Sequence, residues 1–496
     1  MSRTLATLCL SLIALTAVQA QGNNAFEQYK RQKMAQFEGY KQRKQAEFDA
    51  YRRQRNETFA RFMERKWELV RGGTPVTLPE QKEVKPPIYD QRDDQRDDRQ
   101  MSVTVVPIEQ RKPQPKPVEP IEQNRQTTQQ GRFAFYGTPM TVRWGNLTTF
   151  TLKSTNEKDV AKAFLALTDK DYTDLTVDCL TLRRKHQLCD WAYYKMLESM
   201  AQTACGKSTN EAVLVQGVLL NQSGYKLRFA REPQTGRLHL LMHLASSPLD
   251  CQPYTVNRET FYLMDGSKPK SLNVLNAAYK GEQTMSLNID QLPLLQQKLS
   301  VAKNLQSADC ALSATSVVNE NLIAFMNDYP RSYCNNNFMT RWAYYANTPI
   351  SSEVKQKVYP VLRQKLQGMT QRMAVNQLLA WVQFCFPYEF DINVWQVEDR
   401  AFFADETLFY PLSDCEDHAI LFSKLVRDLV GLDAALVYYP GHLMAAVCFT
   451  DEVKGDAINV GGRRFVLCEA TGEGYPAGRI SADYKNVKGE AILLRR

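Results

Sequence analysis

Two stretches of this chain align with each other without a gap. They are residues 208–229, STNEAVLVQGVLLNQSGYKLRF, and residues 415–436, CEDHAILFSKLVRDLVGLDAAL. Both carry apolar residues at helical spacing, then a glycine, Gly224 or Gly431, and then a strand-like run. Glycine often ends a helix because it adopts a left-handed backbone conformation without steric cost. Each stretch therefore predicts a helix followed by a strand, which is the start of an α+β unit.

The similarity continues into the next strands. LHLLMHL, with His239, stands where the second copy has GHLMAAV, with His442. Later strand-like runs end on an acid, FYLMD at Asp265 and FVLCE at Glu469. Helix, glycine turn, histidine strand and acidic strand end thus occur twice in the same order. This predicts a duplicated α+β unit, and the alternative is chance similarity between two amphipathic helix–strand stretches.

The beginning of the chain has the pattern of an export signal. Residues 1–20 combine an early arginine, an apolar run and a small-x-small ending, so cleavage is expected after Ala20. A retained anchor helix is the alternative, but it needs a longer apolar span. No other stretch is long and apolar enough to cross a bilayer. The sequence therefore predicts a protein of the periplasm or the extracellular space, without a transmembrane span.

An eleven-residue repeat follows the signal. Eleven residues are close to a whole number of helical turns, so residues at this spacing stay on one stripe. The repeat predicts a long helix over residues 24–70. This helix could be solvated and pack only weakly, associate with other copies of itself, or dock on an anionic envelope surface. The repeats begin at Phe26, Phe37, Phe48 and Phe59, each followed three residues later by an aromatic residue: Tyr29, Tyr40, Tyr51 and Phe62.

Composition then divides the rest of the chain. Residues 72–131 are rich in proline, glutamine and charge, which predicts a disordered linker because little apolar surface is available for burial. Apolar periodicity returns from Phe133 onward and persists to residue 496. The two α+β units are assigned to residues 132–300, a degenerate copy, and to residues 301–496, the catalytic copy.

Charge and metal-ligand spacing exclude several classes of function. The net charge of +8 is modest for 496 residues, so nucleic acid is not an expected partner. Of the eleven cysteines, Cys9 lies in the predicted signal peptide, and none of the others forms a CxxC pair. The chain has five histidines without HExxH spacing, and no nucleotide-binding glycine loop. We therefore expect no metal and no cofactor.

Cys415 stands where a reactive thiol is expected. Ser413 and Asp414 are capping candidates, and helical apolar spacing begins directly after them. A helix N-terminus and a nearby imidazolium both stabilise a thiolate. The first-turn N–H groups also offer donors to an oxyanion. The alternative is that Cys415 is a small core residue.

The other two members of a catalytic triad follow in order. His442 comes after the turn-forming Pro440–Gly441 and begins an apolar strand, and Glu469 ends a later strand. A nucleophile, a base and an orienting acid suit acyl transfer. The first copy has Ser208 where the second has Cys415, so we expect it to lack the reaction.

The segments DCEDHAILFSKLVRDLVGL, YPGHLMAAV and FVLCEAT closely resemble the transglutaminase-like branch of the papain-like superfamily, as found in exported bacterial proteins. The resemblance covers about residues 320–475. It implies a Cys-bearing helix packed on an antiparallel sheet, with Cys415 as nucleophile, His442 as base and Glu469 as the acid. One position departs from the family pattern, because residues 469–471 read Glu-Ala-Thr where the family has Asp-Pro-Thr.

This resemblance implies an exported cysteine peptidase, amidase or transglutaminase that acts on amide bonds of a peptide or protein. The alternative is a non-catalytic envelope scaffold or peptide-binding protein that retains the fold. Gln383 is a candidate oxyanion donor, as a glutamine is in papain-like enzymes, or a helix-surface residue. His418 shares the helix of the thiol and is a poor candidate base. Tyr388 either lines a substrate cleft or fills the core. Glu416 and Asp417 are expected to stabilise the helix, because acidic side chains in the first turn interact favourably with its dipole.

Overall fold

The computed structural model describes residues 3–63, 65–78, 84–89, 98–108, 129–168, 172–278, 281–397 and 399–495, and of residues 3–27 it describes the backbone only. This part of the chain is a mixed α+β structure with antiparallel sheets and an N-terminal helix. None of its helices has both the length and the apolar character needed to cross a bilayer.

The elements before the first unit are α1 (Arg3–Met63), β1 (Glu68–Arg71), β2 (Gln100–Met101) and β3 (Val103–Val106). Those of the first unit are β4 (Gln130–Phe135), β5 (Thr138–Arg143), α2 (Glu157–Leu167), α3 (Thr173–Lys185), α4 (Asp190–Cys205), α5 (Asn210–Gln222), β6 (Leu227–Arg231), β7 (Leu238–Met242), β8 (Ser247–Pro248), β9 (Gln252–Val256), β10 (Glu259–Leu263) and β11 (Ser271–Val274).

The second unit begins with β12 (Lys303–Leu305), β13 (Ala314–Ser316), α6 (Glu320–Asn327), β14 (Ser332–Tyr333), α7 (Arg341–Asn347), α8 (Ser352–Leu366), α9 (Gln371–Cys385), α10 (Asp391–Trp395) and α11 (Ala404–Phe409). It continues with α12 (Cys415–Leu425), β15 (Asp433–Tyr439), β16 (His442–Cys448), β17 (Ala457–Val460), β18 (Arg463–Cys468) and β19 (Gly489–Leu493).

Helix α1 docks on the first unit with its C-terminal part. Phe59 is 2% exposed, and its ring centroid lies 4.1 Å from that of Phe164. Phe37 remains 51% exposed. The helix ends at Met63 rather than at residue 70, because Glu68–Arg71 pairs as β1 with the edge strand β11. The repeat therefore supplies an intramolecular contact over its last turns.

The two large sheets have corresponding strand orders. The first runs β1-β11-β6-β7-β10-β9, and the second runs β2-β17-β18-β16-β15-β19-β3. In each, the strand after the central helix, β6 or β15, pairs antiparallel with the histidine strand, β7 or β16. The histidine strand in turn pairs with the strand before the acid, β10 or β18. Helices α5 and α12 pack on β7 and β16.

Part of the predicted disordered linker is ordered on the second sheet. Strand β2 pairs in parallel with β17, and β3 pairs in parallel with β19, so residues 100–106 cover both sheet edges. At these residues the structure differs from the linker prediction, since Met101 and Val106 are buried in the core. The charged neighbours dominate the composition and mask this short apolar run. Residues 79–83, 90–97 and 109–128 of the predicted linker lie outside the described residues.

Candidate active site

Helix α12 places Cys415 at its first position. The backbone N–H of Asp414, the capping residue, donates to the carboxylate of Asp417 at 3.3 Å. The helix is buried along its length because apolar side chains surround it, and Cys415 itself is only 8% exposed. The sulfur therefore lies at the positive end of a buried helix, as the sequence predicts.

The hairpin between β15 and β16 positions His442. Tyr439 pairs with His442 across the two-residue turn Pro440–Gly441, in which Gly441 has φ +79°. The His442 ring stacks on Tyr484 at 5.2 Å and is almost fully buried. Its Nε2 lies 2.8 Å from Oε2 of Glu469. Among the described residues, Nδ1 has no hydrogen-bond partner.

Glu469 is anchored as well as buried. Its Oε1 accepts from the backbone N–H groups of Thr471 at 2.9 Å and Gly472 at 3.2 Å. Burial opposes ionisation, but the charge of His442 and these hydrogen bonds outweigh it and lower the pKa of Glu469. A charged Glu469 favours the tautomer in which Nε2–H donates to it and Nδ1 is basic. The glutamate side chain thus reaches the ring of His442 from the position directly after β18.

The surroundings of Cys415 oppose ionisation of its thiol. Burial raises the pKa of Cys415 well above its usual 9.0, and the charges of Glu416 and Asp414 raise it further. The S–H donates to Oε2 of Glu416 at 3.1 Å. The backbone N–H of Leu443 acts in the opposite direction and lowers the pKa of the thiol.

Cys415 and His442 line the same small cavity, whose volume is about 40 Å³. Such a space holds a few water molecules. The remaining lining residues are largely acidic or aromatic and include one from the N-terminal part of the chain: Val84, Trp342, Tyr388, Phe390, Asp391, Asp399, Asp414, Glu416, Tyr438, Gly441 and Leu443.

The acidic lining was not apparent from the sequence. Asp399 forms an ion pair with buried Arg341 at 2.5 Å. Burial and the charge of Glu416 raise the pKa of Asp391 to about 8. These residues come from separate segments, and no local spacing links them to Cys415. Only the acid-rich start of α12 was a signal.

Gln383 and His418, two candidates of the sequence analysis, both bind the loop that follows β18. Gln383 donates from Nε2 to the carbonyl oxygens of Glu469 at 2.7 Å and Tyr475 at 2.9 Å, so its amide supports the loop after β18. His418 bonds to Ala470 O at 3.3 Å and Ser413 Oγ at 3.0 Å. Burial lowers the pKa of His418 to about 4, and its ring links α12 to the same loop.

In the corresponding site of the first unit, carboxylate side chains bind both ring nitrogens of the histidine. Nδ1 of His239 lies 2.7 Å from Asp265, and Nε2 lies 2.9 Å from Glu232. Ser208 is exposed and precedes α5, which is capped instead by Thr209. The histidine–acid pair is thus present twice, but only the second unit combines it with a thiol.

Asp414, Cys415 and Glu416 offer three ligand atoms within 4.8 Å of one another, the one such group among the described residues. Two carboxylates and one thiol form a mixed set without a clear metal preference. Comparison with family models, with curated proteins and with solved structures gives no match for this chain.

Proposed function

We propose that this protein is an exported cysteine-dependent acyl-transfer enzyme that acts on amide bonds of peptides or proteins. Cys415 is the nucleophile, His442 the general base and Glu469 the orienting acid. The observation that carries the proposal is the orientation of His442. Its Nε2 is held by a buried, anchored carboxylate, its Nδ1 has no hydrogen-bond partner among the described residues, and His442 and Cys415 line the same cavity.

The reaction follows from these positions. Nδ1 of His442 takes the thiol proton while sulfur bonds to the substrate carbonyl carbon. N–H groups of the first turn of α12 stabilise the resulting oxyanion. When the C–N bond breaks, the imidazolium returns the proton to the leaving amine and a thioester remains. Water or an amine then attacks the thioester, gives its proton to His442 and releases the thiol.

The fold supports the same proposal. A thiol-bearing helix packs on an antiparallel sheet whose neighbouring strands carry the histidine and the acid. This agrees with the papain-like, transglutaminase-like fold that the sequence motifs imply. The equivalent strand order of the first unit supports a duplication whose first copy lacks the nucleophile.

The proposal is tested with an activated ester, 4-nitrophenyl acetate, and intact-mass detection of the acetylated protein. We expect Cys415 to be acetylated and His442→Ala to slow this step at least about tenfold, as loss of a general base should. Cys448, a more exposed thiol of the same unit, serves as the internal control. Acetylation of Cys415 at an equal rate in both proteins would overturn the proposal.

One observation favours the second candidate, a non-catalytic peptide-binding scaffold. The thiol donates to Glu416, and its pKa is raised by burial and nearby acids. A scaffold would keep this arrangement permanently, whereas an enzyme must release the thiol from Glu416. In the ester experiment, a scaffold would show no acetylation of Cys415 in either protein.

A further inference from the structure

Residues 84–89, Val-Lys-Pro-Pro-Ile-Tyr, run across the second unit without regular secondary structure. Ile88 is 89% exposed, and Lys85 is exposed too, while the other side chains of the segment are half-buried. Consecutive prolines favour an extended chain with about 3.1 Å per residue, so the segment spans roughly 16 Å.

Two tyrosines of the second unit lie against the main chain of this segment. The Tyr475 hydroxyl donates to the carbonyl oxygen of Ile88 at 3.0 Å. The Tyr388 hydroxyl lies 3.5 Å from the carbonyl oxygen of Val84. The ring of Tyr89 packs edge-on against Tyr475 at 5.0 Å. Hydroxyls that bind carbonyl oxygens recognise an extended backbone, and aromatic rings beside prolines are a common way to bind such chains.

Gly472 lies against both Pro87 of the segment and the ring of Tyr475. A Cβ added at Gly472 would lie 2.7 Å from the carbonyl oxygen of Pro87, so a larger residue here would displace the segment. The N–H of Gly472 also donates to Glu469. The segment therefore packs directly on the loop that holds the acid of the triad.

The other end of the segment borders the cavity of the thiol. Val84 lines this cavity together with Cys415 and His442. A peptide whose acyl group reaches the sulfur must therefore enter beside Val84 and compete with residues 84–89 for this space.

We propose that the surface formed by Tyr388, Gly472 and Tyr475 is a groove for an extended, proline-containing polypeptide, and that residues 84–89 occupy it as an intramolecular inhibitor. This proposal rests on the proposed function, because it assigns the groove to the substrate of Cys415. It names the substrate class as an unfolded or extended polypeptide segment whose carbonyl oxygens are recognised by hydroxyl donors.

Binding is tested separately from chemistry in the full-length chain with Cys415→Ser and with residues 84–89 replaced by six glycine and serine residues. We expect a blocked peptide of sequence VKPPIY to bind in a calorimetric titration with a Kd below about 1 mM. A peptide of scrambled sequence should not bind. No binding of VKPPIY, or equal binding of the scrambled peptide, would overturn the groove.

A second variant keeps the natural segment, in case its replacement prevents folding. Tyr475→Phe removes the hydroxyl that holds Ile88, so we expect alkylation of Cys415 by iodoacetamide to become several-fold faster. Tyr262→Phe, the matched control, removes a hydroxyl that donates to Ser247 in the first unit and should leave the rate unchanged. Equal rates in Tyr475→Phe and the parent protein would contradict inhibition by the segment.

The outcomes for the groove and for the enzyme are distinguishable. Loss of peptide binding, with His442-dependent acetylation of Cys415 intact, would overturn the groove alone. Peptide binding, without acetylation of Cys415 in a chain that keeps Cys415 and has residues 84–89 replaced, would support the groove as a peptide-binding site and overturn the enzymatic function.

Discussion

Both units contain a buried histidine paired with a carboxylate, but the carboxylate of Glu469 is buried whereas the side chain of Asp265 is 29% exposed, and the units use the pair differently. His239 lies 2.7 Å from Asp265, and His442 lies 2.8 Å from Glu469. In the first unit Glu232 binds the second ring nitrogen, whereas in the second unit that nitrogen has no partner among the described residues. The pair alone is therefore a structural feature of this fold. The second nitrogen decides whether the histidine is available as a base.

The helix that precedes each histidine–carboxylate pair also begins at a different position in the two units. Helix α12 begins at Cys415, which is buried, whereas α5 begins at Asn210, two positions after Ser208 in the alignment. Ser208 is exposed and has φ +56°. A hydroxyl at this position is therefore outside the helix and away from the buried core. The first unit differs from the second in backbone position as well as in the nucleophile.

The largest effect is expected at the nucleophile. Cys415→Ser should lower acetylation by 4-nitrophenyl acetate at residue 415 by about a thousandfold or more, because a serine is far harder to ionise. Ser208→Cys should be acetylated at residue 208 no faster than the control thiol Cys448, since the histidine of the first unit has both nitrogens bound. Peptide mapping of the acetylated protein measures both results. Rapid acetylation of Ser208→Cys at residue 208 would show that the units differ only in one side chain.

The two histidines should separate reactivity from stability. His239→Ala leaves Asp265 and Glu232 without their shared partner and should lower the free energy of unfolding by roughly 1–3 kcal/mol. The rate of Cys415 acetylation should stay within about twofold, because only the base contribution of His442 is catalytic. Denaturant unfolding and ester kinetics on the same variant measure the two effects. A tenfold slower reaction would mean that the first unit supports the site of the second.

The N-terminal helix should stabilise the first unit through its last turns. Phe59→Ala removes a buried ring from contact with Phe164 and Phe229, and should cost roughly 3–5 kcal/mol. Phe37→Ala, at the same position of the repeat, should change stability by less than about 0.5 kcal/mol because Phe37 is half-exposed. Thermal unfolding of both variants checks this. Equal effects would indicate that the distal repeats also pack against protein, as in a self-associated state.

The two units should also differ in the pH dependence of their stability. The pKa of Asp391 is raised from 3.8 to about 8, so the folded second unit holds a proton that the unfolded chain releases. The free energy of unfolding should therefore fall as pH rises between these values. Asp265 has its pKa lowered from 3.8 to about 2 despite its burial, because His239 and Ser267 bind its carboxylate. It contributes stability above pH 3.8 that is lost as pH falls towards 2.

Asp391→Asn should flatten the slope of stability between pH 4 and pH 8, since the amide has no proton to lose. Denaturant unfolding at a series of pH values measures this slope. Asp405 and Glu406 also have raised pKa values, about 6 and about 7, so part of the slope should remain. A slope that is unchanged in Asp391→Asn would show that Asp391 is ionised in the folded protein.

The sequence by itself determined the local elements of both units. Helical spacing, the glycine after each helix and the strand with its histidine all depend on neighbouring residues, and the structure has them at α5, Gly224 and β7, and again at α12, Gly431 and β16. The spacing from histidine to acid was also readable, because β-strands that are close in the chain commonly pair. The aromatic repeat predicted a helix for the same local reason.

Tertiary structure alone decided the state of the candidate site. The burial of the Cys415 thiol, the absence of a partner for His442 Nδ1 among the described residues and the position of Val84 at the cavity depend on residues far apart in the chain. The acids that raise the pKa of the thiol further, Asp414 and Glu416, are instead its sequence neighbours. The ordered run at residues 100–106 is another example, because its strands exist only through pairing with β17 and β19. Burial and strand pairing of this kind leave no pattern in the neighbouring sequence, because the stabilising contacts are made with residues that only folding brings close.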